Sequence, residues 1–546
     1  MSVATALQDF DILCAIFEEF AVERHERRQR PARRRDLARS ARVCKAFTEP
    51  ALRVLWRVLP GVEPLLRLLS CVRKVEQRDR AAQFLLQGAL CSKEWRKFQD
   101  YAERIRVMDQ WDTLLPDRGR FYSWTRAELK PVPVEIEPVL QQFFSLSNGG
   151  RPLLPYIQRL SWETASPNPV CPPPLLFIGP SIQRLSLRHD PSSEGRSHSL
   201  ESFLTAISSL VLGLHTLTVY EQLPHWGTTL SPDLASAYES ALLAVSGCVH
   251  LRRLKIAGRR IVLSRRFLHT LSSLPLLESL RLQVARIDVN TDVEQKRVLA
   301  AMETLELTAP GNVVADFYKL AFVPRIRKLS LTFANMYPDG GRALISAFPR
   351  MYRVRQLPTT LWASTLRILH LSFCTARNHI PQQGFLMPFV QPFLNLQNVE
   401  QFTVIMDSEA LSWSDDDALT ISQCWPKLTA FLVRFEDMPS NALLQPSSRA
   451  LLHFAEHCPD LKQLVIPYVA DADVDHLSLP NPRPHRHLEV LLLNWVHVKC
   501  KGCFARYLVR LFPHLRVDGR AKDCVRFPFH KDYDHELWRL LRKQRE

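Results

Sequence analysis

Glycine is scarce in this sequence, at 17 of 546 residues, which is less than half of the usual share of about 7%. Loops that cradle a phosphate depend on glycine, because the backbone must approach the ligand closely. The motifs G-x-G-x-x-G, G-x-x-x-x-G-K-[ST], G-x-S-x-G and H-E-x-x-H are all missing. These absences argue against a nucleotide-binding protein or a hydrolase, and we expect a protein without enzymatic activity, cofactor or metal.

Long apolar runs are also missing. No stretch approaches the 18 uninterrupted apolar residues of a membrane span, and the start lacks the charged and apolar regions of a secretory signal. The 12 cysteines are scattered through a long chain, a distribution that predicts reduced, mostly buried thiols rather than a disulfide framework. We therefore expect a protein of the cytoplasm, the nucleus or both, without a membrane partner.

Acidic residues are outnumbered by basic ones. The formal net charge is +16, and the segment 483–546 alone carries 15 Lys and Arg against 7 Asp and Glu, or +8. A second basic run, ERHERRQRPARRRD, occupies 23–36. The excess makes an acidic partner plausible. The run at 23–36 fits either a nuclear localisation signal or a solvated loop, and the basic C-terminal tail fits either nucleic-acid binding or docking on the rest of the chain.

One pattern, apolar-x-x-Leu-x-apolar with some substitution, recurs twelve times at intervals of 24 to 40 residues. Its copies begin at residues 157, 182, 214, 251, 277, 302, 326, 366, 399, 428, 461 and 488. The last three residues of each copy alternate apolar, variable, apolar, which predicts a short strand with two side chains pointing inward. Helix-like stretches separate the copies; examples are SPDLASAYESALLAVSGC from Ser231 and SSRALLHFAEHCPD from Ser447. The acidic stretch SEALSWSDDDAL at 408–419 predicts a helix start.

Strand and helix repeated at this period are typical of a leucine-rich-repeat solenoid. The predicted fold class is thus an α/β repeat, an irregular arc or horseshoe with short parallel strands on its concave face. In such a solenoid the variable residues of the strands point out of the concave face. The basic candidates for substrate binding are Arg159, Arg184, Arg188, Arg253, Lys255, Arg281 and Lys328. Later positions are apolar, and they include Leu432, Val465, Val490 and Leu492. The set fits either a mixed acidic and apolar partner, or a solvated charged face followed by residues buried under a loop or the tail.

The first sixty residues hold more large apolar side chains than three short helices can bury alone. In LQDFDILCAIFEEF one helical stripe contains Ile12, Leu13, Ile16, Phe17 and Phe20. The segment ARVCKAFTEPALRVLWRVL predicts a second and a third helix, the third with Thr48 as its cap and Pro50 in its first turn. Another surface must cover the surplus.

These segments resemble the F-box family. The matching stretches are DILCAIF at 11–17, VCKAF at 43–47 and LW at 55–56, and EPALRVLWRVL and EWRKFQDYAERIRVM (94–108) are similar to F-box proteins of basidiomycete fungi. The resemblance implies a three-helix head that docks on the Skp-type adaptor of an SCF-type cullin–RING ubiquitin ligase, while the repeats hold a protein substrate. By matching position, the implied core and adaptor-binding residues are Ile12, Leu13, Ile16, Phe17, Leu37, Val43, Cys44, Phe47, Leu52, Leu55 and Trp56.

The predicted domains are an F-box-like head at 1–59 with an Arg-rich insert at 22–35, a helical linker and first-repeat cap at 60–155, the solenoid at 156–515 and the basic tail at 516–546. Two other functions fit less well: a basic repeat protein that binds nucleic acid, and a repeat scaffold that no longer binds an adaptor. Cys500-x-x-Cys503, with His497, Cys524 and His530 nearby, has ligand-like spacing for zinc. No second C-x-x-C exists, so buried thiols are favoured there.

Overall fold

The computed structural model describes residues 9–21, 29–75, 82–109, 134–164, 173–189, 197–221, 242–287, 297–334, 362–374, 384–406, 411–435, 445–471, 483–515 and 535–544. The chain forms two compact units. The first comprises residues 1–258 and 273–277, and the second comprises 259–272 and 278–546. The helix predicted from Ser231 begins outside the described residues. Cys524 and His530 also lie outside them.

The head contains three helices, α1 (Phe10–Glu18), α2 (Arg30–Ser40) and α3 (Lys45–Arg57). Asp9 caps α1, since its carboxylate accepts from the amides of Asp11 and Ile12. The buried core of the head is small and entirely apolar: Leu13, Phe17, Ala21, Leu37, Ala41, Ala51 and Val54.

The prediction for the start of α3 was wrong. The helix begins at Lys45 rather than after Thr48, residues 41–43 form a turn, and Pro50 lies inside the helix. The Thr48 hydroxyl instead donates to the carbonyls of Ala41 and Cys44, at 3.0 and 3.1 Å. A threonine hydroxyl can form hydrogen bonds with the backbone from within the first turn of a helix as well as from the cap position. The presence of Thr48 therefore did not define where α3 begins.

The Arg-rich segment is partly structural. Its residues from Arg30 onward form the start of α2, and the Arg33 guanidinium lies 5.3 Å from the ring centre of Phe20. Arg34 donates through Nη1 to the carbonyls of Val58 and Leu55, at 2.5 and 3.4 Å, at the end of α3. Burial lowers the pKa of Arg34. A cation at a helix C-terminus can donate to the last carbonyls of the helix and interacts favourably with the helix dipole. The part of the segment from Arg30 onward is therefore not a solvated loop.

We expect Arg34→Met to destabilise the head by about 1–3 kcal/mol, because it removes a charged donor from two partly buried carbonyls. Arg35→Met is the matched control, since the neighbouring Arg35 is exposed and exposed substitutions usually change stability by less than about 0.5 kcal/mol. Hydrogen exchange of the α3 amides measures the difference. Equal exchange in the two variants would contradict the capping role.

Residues 60–155 are not simply a helical linker. They contain α4 (Glu63–Leu66), α5 (Ser92–Ala102) and α6 (Pro138–Ser147), but also a small sheet in which β2 (Val72–Val75), β3 (Ala82–Leu86) and β5 (Val134–Ile136) pair in that order. Two further short strands were not predicted: β1 (Val58–Leu59), which directly follows α3, and β4 (Val107–Asp109). β1 pairs in parallel with β4, and β4 with the first repeat strand.

All twelve predicted repeat strands are present. Those that begin in the first unit are β6 (Arg159–Thr164), β7 (Arg184–His189), β8 (Thr216–Glu221) and β9 (Arg253–Leu263). They pair in parallel, each with the next, and the 14-residue α7 (Ser197–Leu210) precedes β8. One face buries the aligned residues Leu160, Leu185, Leu217 and Leu254.

The second unit contains the other eight repeat strands, all parallel. They are β10 (Ser279–Ile287), β12 (Thr304–Ala309), β14 (Lys328–Ala334), β15 (Ile368–Cys374), β17 (Gln401–Met406), β19 (Ala430–Phe435), β20 (Gln463–Asp471) and β21 (Val490–Val498). The register is uninterrupted, so one row of buried residues crosses every strand: Leu280, Leu305, Leu329, Leu369, Phe402, Phe431, Leu464 and Leu491. Two-residue pairs also form between β11 (Arg297–Val298) and β13 (Ala321–Phe322), and between β16 (Gly384–Phe385) and β18 (Leu411–Ser412).

The described part of the second unit contains the α-helices α8 (Arg265–Ser272), α9 (Gly311–Leu320), α10 (Met387–Val390), α11 (Asp415–Cys424), α12 (Ser448–His457), α13 (Lys501–Leu511) and α14 (His535–Lys543). The predicted acidic helix start is confirmed, since Ser414 caps α11 in a capping box with Asp417. The described end of the basic tail also has a structural role. Its helix α14 buries Leu537 and Leu541, which agrees with docking on the chain.

Candidate interaction surfaces

The structure divides the candidate residues of the head into three groups. Leu13, Phe17 and Leu37 are buried, at no more than 4% exposure, and belong to the core. The partly buried members are Ile12, Phe47, Leu52, Leu55 and Trp56, while Ile16, Val43 and Cys44 are exposed. The exposed group can contact a partner without disrupting the fold.

Trp56 packs within the first unit. Its ring lies 4.3 Å from that of Tyr101 on α5. Such a contact anchors the end of α3 on α5. The tryptophan of the family motif therefore has a structural partner inside this chain.

Among the residues of the head that the structure describes, three large apolar side chains are exposed: Phe10 at 45%, Ile16 at 41% and Val43 at 69%. Ile12 and Ile16 are four residues apart on α1, so they occupy one side of that helix, next to the buried stripe of Leu13 and Phe17. Phe10 was not among the candidates, although it lies one helical turn before Leu13. Exposed apolar groups beside a small core are typical of a protein-binding surface.

The basic candidates of the first unit form a row on the solvent side of the strands. Arg159 pairs with Arg184, Arg184 with Thr216, and Thr216 with Arg253. Three of these four neighbours are arginines, and adjacent strands lie only about 4.8 Å apart. Arg184 and Arg253 are exposed. Closely spaced guanidinium groups of this kind suit a carboxylate or phosphate ligand.

Two further cations lie along the same strands. Lys255 places its ammonium group 5.0 Å from the ring centre of Tyr220, a cation–π contact. Arg188 is in register with Tyr220. The same face therefore carries Arg184, Arg188 and Lys255 with an aromatic ring among them.

The two basic candidates of the second unit share one anion, Glu306. Its carboxylate lies 2.6 Å from Lys328 Nζ and 3.3 Å from Arg281 Nη1. Arg281 and Glu306 are in direct register on β10 and β12. Positive charge on this part of the sheet is thus partly neutralised within the chain, which the list of cations alone did not predict.

His370 continues the same row. The register runs from Arg281 to Glu306, Ser330 and His370. Burial lowers the pKa of His370 to about 4, and Lys328 and Arg281 add to the effect while Glu306 opposes it. The imidazole is therefore neutral at pH 7 and offers a hydrogen-bonding group rather than a charge.

This lowered pKa makes stability depend on pH. The pKa of this histidine is near 6.5 in the unfolded chain and about 4 in the folded chain. Between these two pH values the unfolded chain binds a proton that the folded chain does not. Stability therefore falls as the pH drops through this range, by about 2 kcal/mol between pH 7 and pH 5 from this residue alone. In the variant His370→Asn, the free energy of unfolding measured in urea should fall by about 2 kcal/mol less between pH 7 and pH 5 than in the wild type. An equal fall in the two proteins would contradict the lowered pKa of His370.

The apolar candidates behave differently from one another. Leu432, Val465 and Leu492 are in register on β19, β20 and β21. Val465 is buried at 3% exposure, whereas Leu432 and Leu492, like Val490, are partly buried. The interpretation that the end of the row is covered thus holds for Val465.

The cysteines of the C-x-x-C motif are not buried, which corrects the sequence prediction. Cys500 is exposed and Cys503 partly exposed, because they lie at the start of α13. The Cys500 sulfur accepts from the Cys503 amide at 3.2 Å, and hydrogen bonds from Cys503 lower the pKa of the Cys500 thiol. The nine cysteines whose side chains the structure describes are all free thiols, and only Cys71, Cys248 and Cys458 among them are buried, so the prediction of mostly buried thiols was wrong for this set.

Comparison with known proteins finds similarity only to solved structures of low sequence identity. No family model and no curated protein matches the chain. Three solved structures that it resembles are a Bacteroides fragilis protein (13% identity, 52% of this chain and 66% of that one, TM-score 0.27), internalin C2 of Listeria monocytogenes (16%, 46% and 83%, 0.23) and a second internalin from that organism (12%, 58% and 81%, 0.28). The match thus spans just under two thirds of the Bacteroides protein.

Within the described ranges, no helix has both the length and the apolar character needed to cross a membrane.

Proposed function

We propose that this chain is an F-box protein with leucine-rich repeats that acts as the substrate-recognition subunit of an SCF-type ubiquitin ligase. Its head binds a Skp-type adaptor, and its strands bind a protein substrate. The chain performs no bond chemistry itself; it raises the effective concentration of a substrate near the ubiquitin-loaded enzyme.

The observation that carries the proposal is the division of the motif residues in the head. Leu13, Phe17 and Leu37 form a core, while Ile16 and Val43 of the same motif face solvent. Large apolar side chains exposed beside a small core suit a protein-binding surface. This supports assigning the adaptor contact to the exposed members.

Co-expression of the full chain with a Skp-type adaptor tests the proposal. We expect the two proteins to copurify in a one-to-one complex that survives gel filtration. Separate elution of a folded chain and the adaptor would leave a repeat scaffold without ligase function.

The substrate is expected to contain an acidic or phosphorylated segment, supported by the row of Arg159, Arg184 and Arg253. Changing Arg184 and Arg253 together to Glu should reduce captured substrate at least about tenfold, since each lost charged contact is worth about 1.5–3 kcal/mol. Thermal stability should barely change, because exposed charges contribute little to it.

Quantitative mass spectrometry of copurified proteins measures this effect, with the amount of adaptor as internal standard. Arg486→Glu is the control, because Arg486 is exposed and lies outside the row. An unchanged set of captured proteins in the double variant would contradict the role of the row. Tight, sequence-selective nucleic-acid binding would instead favour the alternative function.

A further inference from the structure

One cluster of potential ligands has no part in the proposed function. On α12, His453, Glu456 and His457 are spaced at i, i+3 and i+4, so all three project from neighbouring positions on the helix. Each can offer one ligand atom, and these atoms all lie within 4.8 Å of one another. The spacing H-x-x-E-H is visible in the sequence, but only the helix assignment brings the three side chains together.

The tautomer of His457 is suited to coordination. Its Nδ1 lies 2.9 Å from the carbonyl oxygen of His453, so Nδ1 carries the proton and donates it. This leaves the lone pair on Nε2. Metal-binding histidines commonly donate their second ring nitrogen to a carbonyl or carboxylate, which fixes the ring and raises the basicity of the ligand atom.

His453 presents a different signal. Its Nδ1 is buried and has no hydrogen-bond partner, a condition that costs about 1–3 kcal/mol for a polar group. A bound ion would give this nitrogen a partner.

The surroundings are held in place and are negatively charged. Helix α12 is anchored on the sheet by Phe454, whose ring lies 4.6 Å from that of Phe431 on β19. Asp415, at the start of α11, accepts from the amide and hydroxyl of Ser447, at 2.8 and 2.6 Å. The first turn of α11, with its three aspartates, is thereby tied to the start of α12, and its charge favours a cation.

From this geometry we infer that His453, Glu456 and His457 bind a divalent transition-metal ion. Two imidazoles and one carboxylate match zinc and its neighbours rather than calcium or magnesium, which take oxygen ligands. Three protein ligands leave one coordination position for water or for a side chain of a partner. The ion would bind on the helix layer, separately from the row of Arg159, Arg184 and Arg253.

Isothermal titration of the chelator-treated full chain with Zn²⁺ tests the inference. The wild type should take up one more ion per chain than the double variant His453→Gln, His457→Gln. Glu456→Gln should weaken that binding at least about tenfold, as loss of a ligand or its support typically does. His487→Gln should bind as the wild type does, because His487 is exposed and outside the cluster.

Comparing variants cancels any zinc held by other histidines and cysteines. Circular dichroism without metal verifies that each variant is folded, and uptake of Co²⁺ with its visible absorption band provides a second readout. Equal stoichiometry and affinity for wild type and double variant, with both folded, would overturn the site.

Discussion

The variant Ile16→Asp is expected to abolish copurification with a Skp-type adaptor while the chain stays folded. Ile16 is 41% exposed, so a carboxylate there remains hydrated in the free protein and becomes costly only when a partner covers it. Central apolar contacts of an interface are worth about 2–4 kcal/mol, which corresponds to a loss of roughly 30- to 1,000-fold in affinity. Surface plasmon resonance with immobilised adaptor measures this loss.

Two comparators interpret that result. Ala38→Asp introduces the same charge at an exposed position of α2 and should bind normally. Leu13→Asp places the charge in the core, where Leu13 is 1% exposed, and should unfold the head as well as prevent binding. Normal binding by a folded Ile16→Asp variant would remove Ile16 from the contact.

The largest effect on stability is expected from Phe431→Ala. Phe431 is fully buried, and its ring lies 5.5 Å from Phe402, 6.1 Å from Trp413 and 4.6 Å from Phe454. It therefore joins the strands to helix α12. Truncation of a buried phenylalanine costs about 3–5 kcal/mol through lost burial and the cavity left behind.

Urea unfolding followed by hydrogen exchange of β17, β19 and β20 isolates that effect within the second unit. Gln463→Ala on β20 is the control, because Gln463 is exposed and should change stability by less than about 0.5 kcal/mol. Equal loss of protection in both variants would contradict the aromatic cluster as the centre of this core.

The repeat strands could be predicted because each copy carries its own alternation of apolar and variable residues. β1 and β4 could not, since two or three residues are too few for a period to be recognised. The fold of 60–155 likewise depends on pairing between distant segments, such as β3 with β5. Alternation of apolar residues within one strand can be recognised in a sequence. Pairing between strands that are distant in the sequence depends on the three-dimensional packing.

The candidate site was predicted less completely. The basic candidates were chosen by charge alone. Glu306 is in register with Arg281 and forms ion pairs with both Arg281 and Lys328. Exposure within the motif was not predictable either. Ile16 and Leu13 are both large apolar residues of one short helix, and only the packing against α3 separates them.

The direct passage from α3 into β1 has an evolutionary consequence. Arg57 ends the helix and Val58 begins a strand that pairs with β4, while Arg57 also binds Glu18 of α1, its Nη1 lying 2.5 Å from the carboxylate. A recombination event that exchanged the head at residue 59 would carry Arg57 and Glu18 together, but it would separate β1 from β4 and so break their hydrogen-bonded ladder. New binding specificities would therefore arise by altering side chains within the strands, or by duplicating whole repeats, more readily than by transferring the head to another repeat array.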